Sequence, residues 1–367
     1  MFKNKTIAIA MSGGVDSSVV AYLLKKQGYN LIGVFMHLWH DPDLEASENA
    51  CCSLASRNDA KRIADKLNIR LYTLNFDKDF KKEIVNNFID EYKKGNTPNP
   101  CIICNQKIKF DLLLKKVKAL GADYLATGHY VKLIEKKKQF KLYKSKDKNK
   151  DQSYFLYKLK PDQLKSLMFP LADYEKKKVY KIAQQKDLLP KHNKESQDVC
   201  FIPKNDLAGF LKKYITHNTF KPGNIIDINN QKILGKHQGL AVYTYGQRSG
   251  IGVGGKGPYY VCKKDHNKNI LFVTNIKDDK VLHSQEIVIK KINWISGHES
   301  NFPLKCKAKC RYGQKDQNVI IENNKVKFSK PQRAVTPGQS IVFYKRRELL
   351  GGGIISKKFQ MLNRIKV

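Results

Sequence analysis

The sequence predicts an α/β protein, with a doubly wound parallel sheet first and one or two small β domains after it. Three observations carry this expectation. Over the first half of the chain, short apolar runs alternate with apolar residues at helical spacing, as strand–helix–strand units of a parallel sheet require. The first run ends in a Ser-Gly-Gly turn that opens a helix. Beyond Pro203 the composition shifts to short strands separated by Gly, Asn-Asn and Pro, the pattern of small β domains. A chain of 367 residues exceeds one ordinary α/β core and divides into two or three domains.

In order, residues 6–11 suit a strand buried on both faces, and Val15, Val19, Tyr22 and Leu23, closed by Gly28, suit a helix packed on it. Residues 31–36 read as a second buried strand and 70–76 as a third, with Ala60, Ile63, Ala64 and Leu67 on the helix between them. Phe80, Ile84, Phe88 and Ile89 mark a further helix. Pro98 and Pro100 make 95–105 a rigid, non-helical loop presenting Cys101 and Cys104. A helix beginning near Asn105 would then lower the pKa of Cys104 through its dipole. Residues 122–130 form a strand ending in the polar edge Thr127-Gly128-His129. The lysine-rich stretch 132–150 reads as a hairpin with Lys136-Lys137-Lys138 at its tip, either a solvated turn or an RNA contact. Helices are expected from there to about Leu189, and Cys200 lies in a second irregular stretch, 195–203. Later strands are expected at 226–228, 287–289, 319–322 and 340–344. Gly252 to Gly257 satisfies G-x-G-x-x-G, but strand-like residues follow it, which excludes a dinucleotide site.

The formal net charge is +36, from 69 basic and 33 acidic residues. Lysine far outnumbers arginine, so part of the excess is general surface composition. The remainder still favours a polyanion, nucleic acid before an anionic membrane surface. No apolar stretch approaches the roughly 20 residues that span a bilayer, and the phosphate turn follows the first residues too closely for a cleavable signal. A cytoplasmic protein with no membrane partner and mostly reduced cysteines is expected.

The turn at Ala10, Met11, Ser12, Gly13, Gly14, Val15, Asp16 and Ser17 has the chemistry of a phosphate site. Its glycines let the backbone approach an anion, its serines add hydroxyls, and the helix start supplies unpaired N–H groups. No Lys follows the second glycine, so it is not a Walker loop. It resembles the S-G-G-x-D-S loop of the ATP pyrophosphatase (PP-loop) superfamily, which cleaves ATP to AMP and pyrophosphate. In such sheets ligands sit at the carboxyl ends of the strands, where this turn, Met36 and residues 127–129 all fall.

Cys101, Cys104 and Cys200 are the cysteines that this sheet can bring near its ligand edge, and three readings compete. A structural zinc site lacks a fourth ligand unless Cys51, Cys52 or a His supplies it. A [4Fe-4S] cluster held by three thiolates is chemically reasonable. Sulfur transfer, with one thiol carrying a persulfide and another resolving it, is the third. Cys262, Cys306 and Cys310 sit in strand-like surroundings and read as packing residues. Tyr243, Tyr245, Tyr259 and Tyr260 read as β-domain core, and of the nine histidines only His129 is expected near the site.

Pro-Asn-Pro-Cys-x-x-Cys-Asn, Ala-Thr-Gly-His-Tyr, Asp-Gln-Ser-Tyr-Phe-Leu, Cys-Phe-Ile and the closing Gly-Gly-Gly-Ile-Ile together resemble the tRNA-specific 2-thiouridylase family over essentially the whole chain. The resemblance implies a PP-loop domain of adenine nucleotide alpha hydrolase type over 1–204, a small central domain over 205–278 and an antiparallel β-barrel-like tRNA-binding domain over 279–367. It implies ATP-dependent thiolation of the wobble uridine of tRNA(Lys), tRNA(Glu) and tRNA(Gln), with Mg²⁺ and a sulfur donor that is a cysteine desulfurase or a relay protein. Ala10 to Ser17, Met36 and Gly128 would hold ATP, and Asn99, Pro100 and Cys101 would meet the target base. Cys104 matches the nucleophile and Cys200 the persulfide carrier, leaving a Cys104–Cys200 disulfide after turnover. His129, Lys150, Asp151, Gln152, Arg311, Tyr312 and Gln339 fall on tRNA-contact positions. Some members carry Asp at the position of Cys101, so the third thiol here adds weight to the cluster reading. Asp16 would position the metal or cap its helix.

Two other functions stay open at this level. Another AMP-forming PP-loop ligase would have no use for three loop thiols or the basic surface. A non-catalytic RNA-binding or metal-cluster protein would bind tRNA without releasing pyrophosphate.

Overall fold

The computed structural model describes residues 5–41, 53–191, 199–202, 206–215, 220–254 and 257–360, with side chains as far as Ser356. Cys51, Cys52 and the 195–198 part of the second irregular stretch lie outside them.

The N-terminal sheet is parallel throughout, in the order β3-β2-β1-β4-β7. Its strands are β1 (Thr6–Ala10), β2 (Asn30–His37), β3 (Arg70–Asn75), β4 (Tyr124–Ala126) and β7 (Leu167–Met168). Alternation puts successive β1 residues into different cores. Ala8, Val34 and Leu125 pack with Phe80, Ile84, Phe88, Ile108 and Phe110 on one face. Ile7, Ile9, Phe35 and Ala126 pack with Val19, Leu24, Ile63 and Val179 on the other. Both faces are therefore covered by helices, and each fully buried aliphatic side chain contributes roughly 1.5–3 kcal/mol.

Two local expectations are corrected. The 95–105 segment is not wholly irregular: a helical turn begins at Pro100 (Pro100–Ile103) and continues as a π-helix over Cys104–Leu113. Proline is excluded from helix interiors but suits the first position, where its missing N–H has no acceptor to lose. Asn99 takes the extended conformation that precedes a proline, φ −112° and ψ 99°. Within the region read as helical, β7 is a two-residue edge strand, too short to leave a periodic pattern.

A second sheet, in the order β10-β11-β8-β9, comprises β8 (Gly223–Asp227), β9 (Ile233–His237), β10 (Tyr260–Asp265) and β11 (Ile270–Thr274). Tyr243, Tyr259 and Tyr260 are buried in its cores, as the sequence suggested, and Cys262 is buried beside Tyr260.

The last six strands are β12 (His283–Trp294), β13 (Leu304–Lys309), β14 (Gln317–Glu322), β15 (Lys325–Arg333), β16 (Ser340–Lys345) and β17 (Glu348–Gln360). They close into an antiparallel barrel because β12 pairs with both β15 and β17, which removes exposed edges. Ile287, Ile289, Phe328, Ile341, Phe343 and Ile355 fill it.

The lysine-rich hairpin is present as β5 (Val131–Lys136) and β6 (Gln139–Lys144), turned at Lys137 and Lys138 with φ of 52° and 60°. Its stem is neither a free turn nor an isolated arm. Through Leu142↔Leu349 and Tyr143↔Glu348 it extends the barrel sheet, and Lys144 pairs with Asp316 at 2.6 Å while lying over the Tyr344 ring.

A second junction depends on a glycine. A Cβ at Gly352 would stand 2.5 Å from the Ile341 carbonyl oxygen and 2.8 Å from the Tyr157 ring. Gly352→Ala is expected to destabilise the fold by about 1–3 kcal/mol through overpacking. Gly235→Ala, where a Cβ meets nothing within 4 Å, is the control in the same urea titration; equal midpoints would refute the packing argument.

Candidate active site

The phosphate turn lies at the carboxyl edge of β1. Met11 N donates to Val34 O at 2.8 Å, Gly13 takes φ +76°, and Gly14 is the N-cap of the helix Val15–Lys26. The hydroxyls of Ser17 and Ser18 donate to Gly14 O, both at 3.0 Å, and Ser12 Oγ lies 3.4 Å from Ser17 Oγ. The first-turn N–H groups have no intrahelical acceptors by the geometry of a helix start. A Cβ at Gly128 would lie 3.0 Å from Asp16 Cβ and 3.3 Å from Ser17 N, so the β4 edge closes directly on the turn. Met36, near the end of β2, lies at the same edge.

Asp16 does not cap the helix, since Gly14 holds that position. Its carboxylate pairs with Lys176 at 2.8 Å and accepts from Tyr130 Oη at 2.8 Å. Neither partner is visible in the sequence pattern, because both come from elements distant along the chain.

Beside the turn opens a cavity of about 570 Å³ whose wall includes Pro100, Cys101, Cys104, Cys200, His129 and Lys150. Cys104 is 8% exposed, Cys101 exposed and Cys200 intermediate, and none is disulfide-bonded. With the helix starting at Pro100, Cys104 lies in its second turn and Cys101 in its first. The positive end of the helix dipole therefore lies nearer Cys101 than Cys104. The three thiols share a cavity, but no group of three or more His, Cys, Asp or Glu among the described residues is arranged to hold a metal ion. As placed, they do not fit a cluster. Asn99, the other residue expected at the target base, lines a neighbouring cleft instead.

The wall also contains residues that motif reading passed over. Asn105 is 3% exposed; its Nδ2 donates to Phe155 O at 3.3 Å, which leaves its Oδ1 with no partner. Lys109 follows Cys104 by one π-helical turn, a period that a 3.6-residue search does not detect. Tyr312 packs at a tilt of 43° on Phe155, ring centroids 4.6 Å apart, and is 43% exposed, so the pair presents an aromatic surface on the cavity wall.

The expected tRNA-contact residues divide. His129, Lys150, Gln152 and Tyr312 line the cavity. Asp151 is buried and accepts from Ser145 N, Ser153 N and Ser153 Oγ, so its carboxylate holds the turn; burial raises its pKa. Gln339 Nε2 donates to Thr97 O at 2.7 Å and clasps the loop before Pro100. Arg311 is exposed, with Nη2 donating to Arg333 O at 3.3 Å.

His129 Nδ1 lies 2.8 Å from Thr127 Oγ1, and its ring packs against Phe110 and Phe169. Burial, reinforced by Lys109, holds its pKa well below the ordinary 6.5. Below pH 6.5 the unfolded chain binds a proton that the folded chain refuses, so this group lowers stability as pH falls through 6.5. His129→Gln is expected to flatten the decline in urea midpoint between pH 7.5 and 5.5; an unchanged decline would show that the imidazole is not held neutral.

Comparison with known families matches residues 5–204 to a tRNA methyl transferase HUP domain, 208–275 to a tRNA methyl transferase PRC-barrel domain and 284–355 to an aminomethyltransferase beta-barrel domain. The chain is 45% identical over 366 residues to the tRNA-specific 2-thiouridylase MnmA 2 of Thermoanaerobacter sp., covering 97% of this chain and 99% of the relative. It is 46% identical over 371 residues to the tRNA-specific 2-thiouridylase MnmA of Buchnera aphidicola, covering 98% and 99%. Among solved structures, the U34-tRNA thiolase NcsA from Methanococcus maripaludis with its [4Fe-4S] cluster aligns over 58% of this chain and 67% of that one. At 19% identity and a TM-score of 0.35, that likeness carries no argument about the thiols here.

Proposed function

The chain belongs to the tRNA-specific 2-thiouridylase family, and on that premise we propose that it replaces the C2 oxygen of the wobble uridine of tRNA(Lys), tRNA(Glu) and tRNA(Gln) with sulfur. The observation that carries the reading is the meeting of Cys104 and Cys200, distant in sequence, on one cavity wall beside a phosphate turn. The segments 1–204, 205–278 and 279–367 would serve as catalytic, central and tRNA-gripping units. The reaction is placed in the cytoplasm, where thiols stay reduced.

A uracil C2 carbonyl is urea-like and a poor electrophile, so its oxygen must first become a leaving group. Attack of that oxygen on the α-phosphorus of ATP forms the O–P bond and expels pyrophosphate. The Ser12 to Ser17 turn would meet the pyrophosphate with its helix-start N–H groups, and the Ser17 hydroxyl would exchange its bond to Gly14 O for one to phosphate. Mg²⁺, when bound, would neutralise phosphate charge, and Asp16 is the carboxylate placed to hold it once Lys176 releases it. Asn105 Oδ1, buried and unpartnered, suits the N3–H of uracil, a donor that cytosine lacks.

Sulfur then comes from a persulfide on Cys200. Its terminal sulfur attacks C2, and Cys104 thiolate attacks Cys200 Sγ and breaks the S–S bond. The C2–O bond breaks with loss of AMP. The sulfane sulfur gains the two electrons that the two thiols lose, so a Cys104–Cys200 disulfide remains, and a thiol reductant must reopen it before the next turnover. The donor that charges Cys200 would be a cysteine desulfurase or a relay protein. Since the three thiols are not arranged as a metal site, no step is assigned to a cluster.

The test is to incubate anaerobically prepared protein with Mg-ATP, unmodified tRNA, a cysteine desulfurase and cysteine, then to digest the tRNA and measure 2-thiouridine by mass spectrometry. ATP-dependent product supports the reading; tRNA-dependent pyrophosphate without it supports adenylation alone; neither, with a tRNA complex verified, overturns it. In this assay Asn105→Ala is expected to lower kcat/KM by about tenfold or more, the scale of one lost buried hydrogen bond. An unchanged value would remove Asn105 from base recognition.

A further inference from the structure

Beneath the turn that carries Cys101 and Cys104 lies a second, smaller cleft. Pro98, Asn99, Ile102 and Ile103 line it, whereas Pro100, Cys101 and Cys104 line the main cavity. The two spaces thus lie on different sides of one helical turn. The cleft has a volume of about 70 Å³ and contains three lysines, Lys158, Lys290 and Lys291. One water needs about 10–15 Å³, so a phosphoryl group fits.

Lys158 is unusual. It is 8% exposed, and its ammonium has no ion pair or hydrogen bond among the described residues; the contact recorded is the Tyr157 ring, 6.0 Å away. Burial, with Lys291 and Lys107 nearby, pushes its pKa down to about 8. A cation in such a place is costly unless something pairs with it. The acid in the lining is Glu91, which accepts from Asn96 at 2.8 Å and Lys94 at 3.3 Å.

The cleft is also built. Asn293 Nδ2 donates to Tyr157 O at 2.7 Å and Leu159 O at 3.0 Å, which pins the backbone on both sides of Lys158. The rim lysines sit where the register of β12 against β17 shifts between Lys290 and Asn293, with Lys291 at φ +53°. A bulge of this kind re-aims side chains, and a lysine held in the left-handed region carries a local cost.

We propose that this cleft is a phosphate-binding subsite that grips a backbone phosphate of the bound tRNA, with Lys158 as its buried anchor and Lys290 and Lys291 as its rim. The phosphate supplies the counter-charge that Lys158 lacks, on the far side of the turn that presents the thiols. Nucleic-acid charge thereby reaches the position of the Cys101–Cys104 turn itself. The RNA assignment rests on the thiolation reading; the phosphate chemistry of the cleft does not.

The test compares wild type with Lys158→Met, and with Lys290→Ala/Lys291→Ala in case the buried substitution disturbs folding. Affinity for unmodified tRNA is measured across a salt series. Loss of one phosphate contact makes the slope of log K against log salt shallower by about 0.9 and weakens binding about fivefold near 0.15 M salt. Lys158→Met is expected to melt at or above the wild-type temperature, because an uncompensated buried cation is gone. A second arm titrates inorganic phosphate without RNA and follows melting temperature. A shallower slope in either variant supports the proposal. An unchanged slope in both variants overturns it, and if phosphate then raises the melting temperature of wild type but not of Lys158→Met, the cleft takes free phosphate instead. If wild type binds no tRNA, the thiolation reading and the RNA assignment fail together, and the phosphate arm alone decides whether the cleft binds an anion.

Discussion

Cys200→Ser is expected to abolish 2-thiouridine formation while tRNA-dependent pyrophosphate release continues. The serine nearly keeps the volume of the cavity wall but cannot carry a sulfane sulfur, and the turn proposed to hold ATP lies on separate elements. Two readouts separate the steps: nucleoside mass spectrometry for product, and a coupled pyrophosphate assay for adenylation. Peptide mass spectrometry of wild type charged by a desulfurase should find the added sulfur on Cys200. Loss of both activities in Cys200→Ser would count against its role as carrier. Cys101→Asp is the companion variant. Cys101 is exposed on the first helical turn and has no role in the persulfide route, so thiolation should survive. A cluster held by three cysteines would lose a ligand in that variant, and collapse of activity there would restore the cluster reading.

The second large effect is expected at Gly128. Even an alanine Cβ would sit 3.0 Å from Asp16 Cβ and 3.3 Å from Ser17 N, and the γ-methyls of valine reach further. Gly128→Val should therefore displace the turn from the β4 edge and lower tRNA-dependent pyrophosphate release at least about a hundredfold, since a misplacement near 1 Å costs that much in a positioned reaction. Binding of tRNA should persist, because the basic cavity wall and the barrel are untouched. Retained pyrophosphate release would show that the turn is not the nucleotide site. Loss of tRNA binding with it would instead indicate general unfolding, which a melting curve would reveal.

Much of this molecule was legible from local pattern. The strands around the phosphate turn read as short continuous apolar runs, because a sheet covered on both faces admits few polar residues, and the helices follow period 3.6. Three cysteines could be singled out because prolines and polar stretches mark loops, and loops at the carboxyl edge of a parallel sheet converge on the ligand. The resemblance supplied the thiolase reading, and near-full-length identity to tRNA-specific 2-thiouridylases supports it.

What local pattern could not reach are pairings between distant segments and departures from standard periods. The helix start at Pro100 was misplaced because proline breaks a helix everywhere except at its first turn. Lys109 joins the cavity through a π-helical turn, which no 3.6-residue search finds. The attachment of the β5–β6 hairpin to β17, the Lys176–Asp16 pair, the unpartnered oxygen of Asn105 and the burial of Lys158 each arise from contacts across the fold. Sequence by itself determined which chemical groups this protein possesses and the elements that carry most of them. Tertiary structure alone decided which groups face one another, because burial and charge pairing depend on distances in space that separation along the chain does not encode.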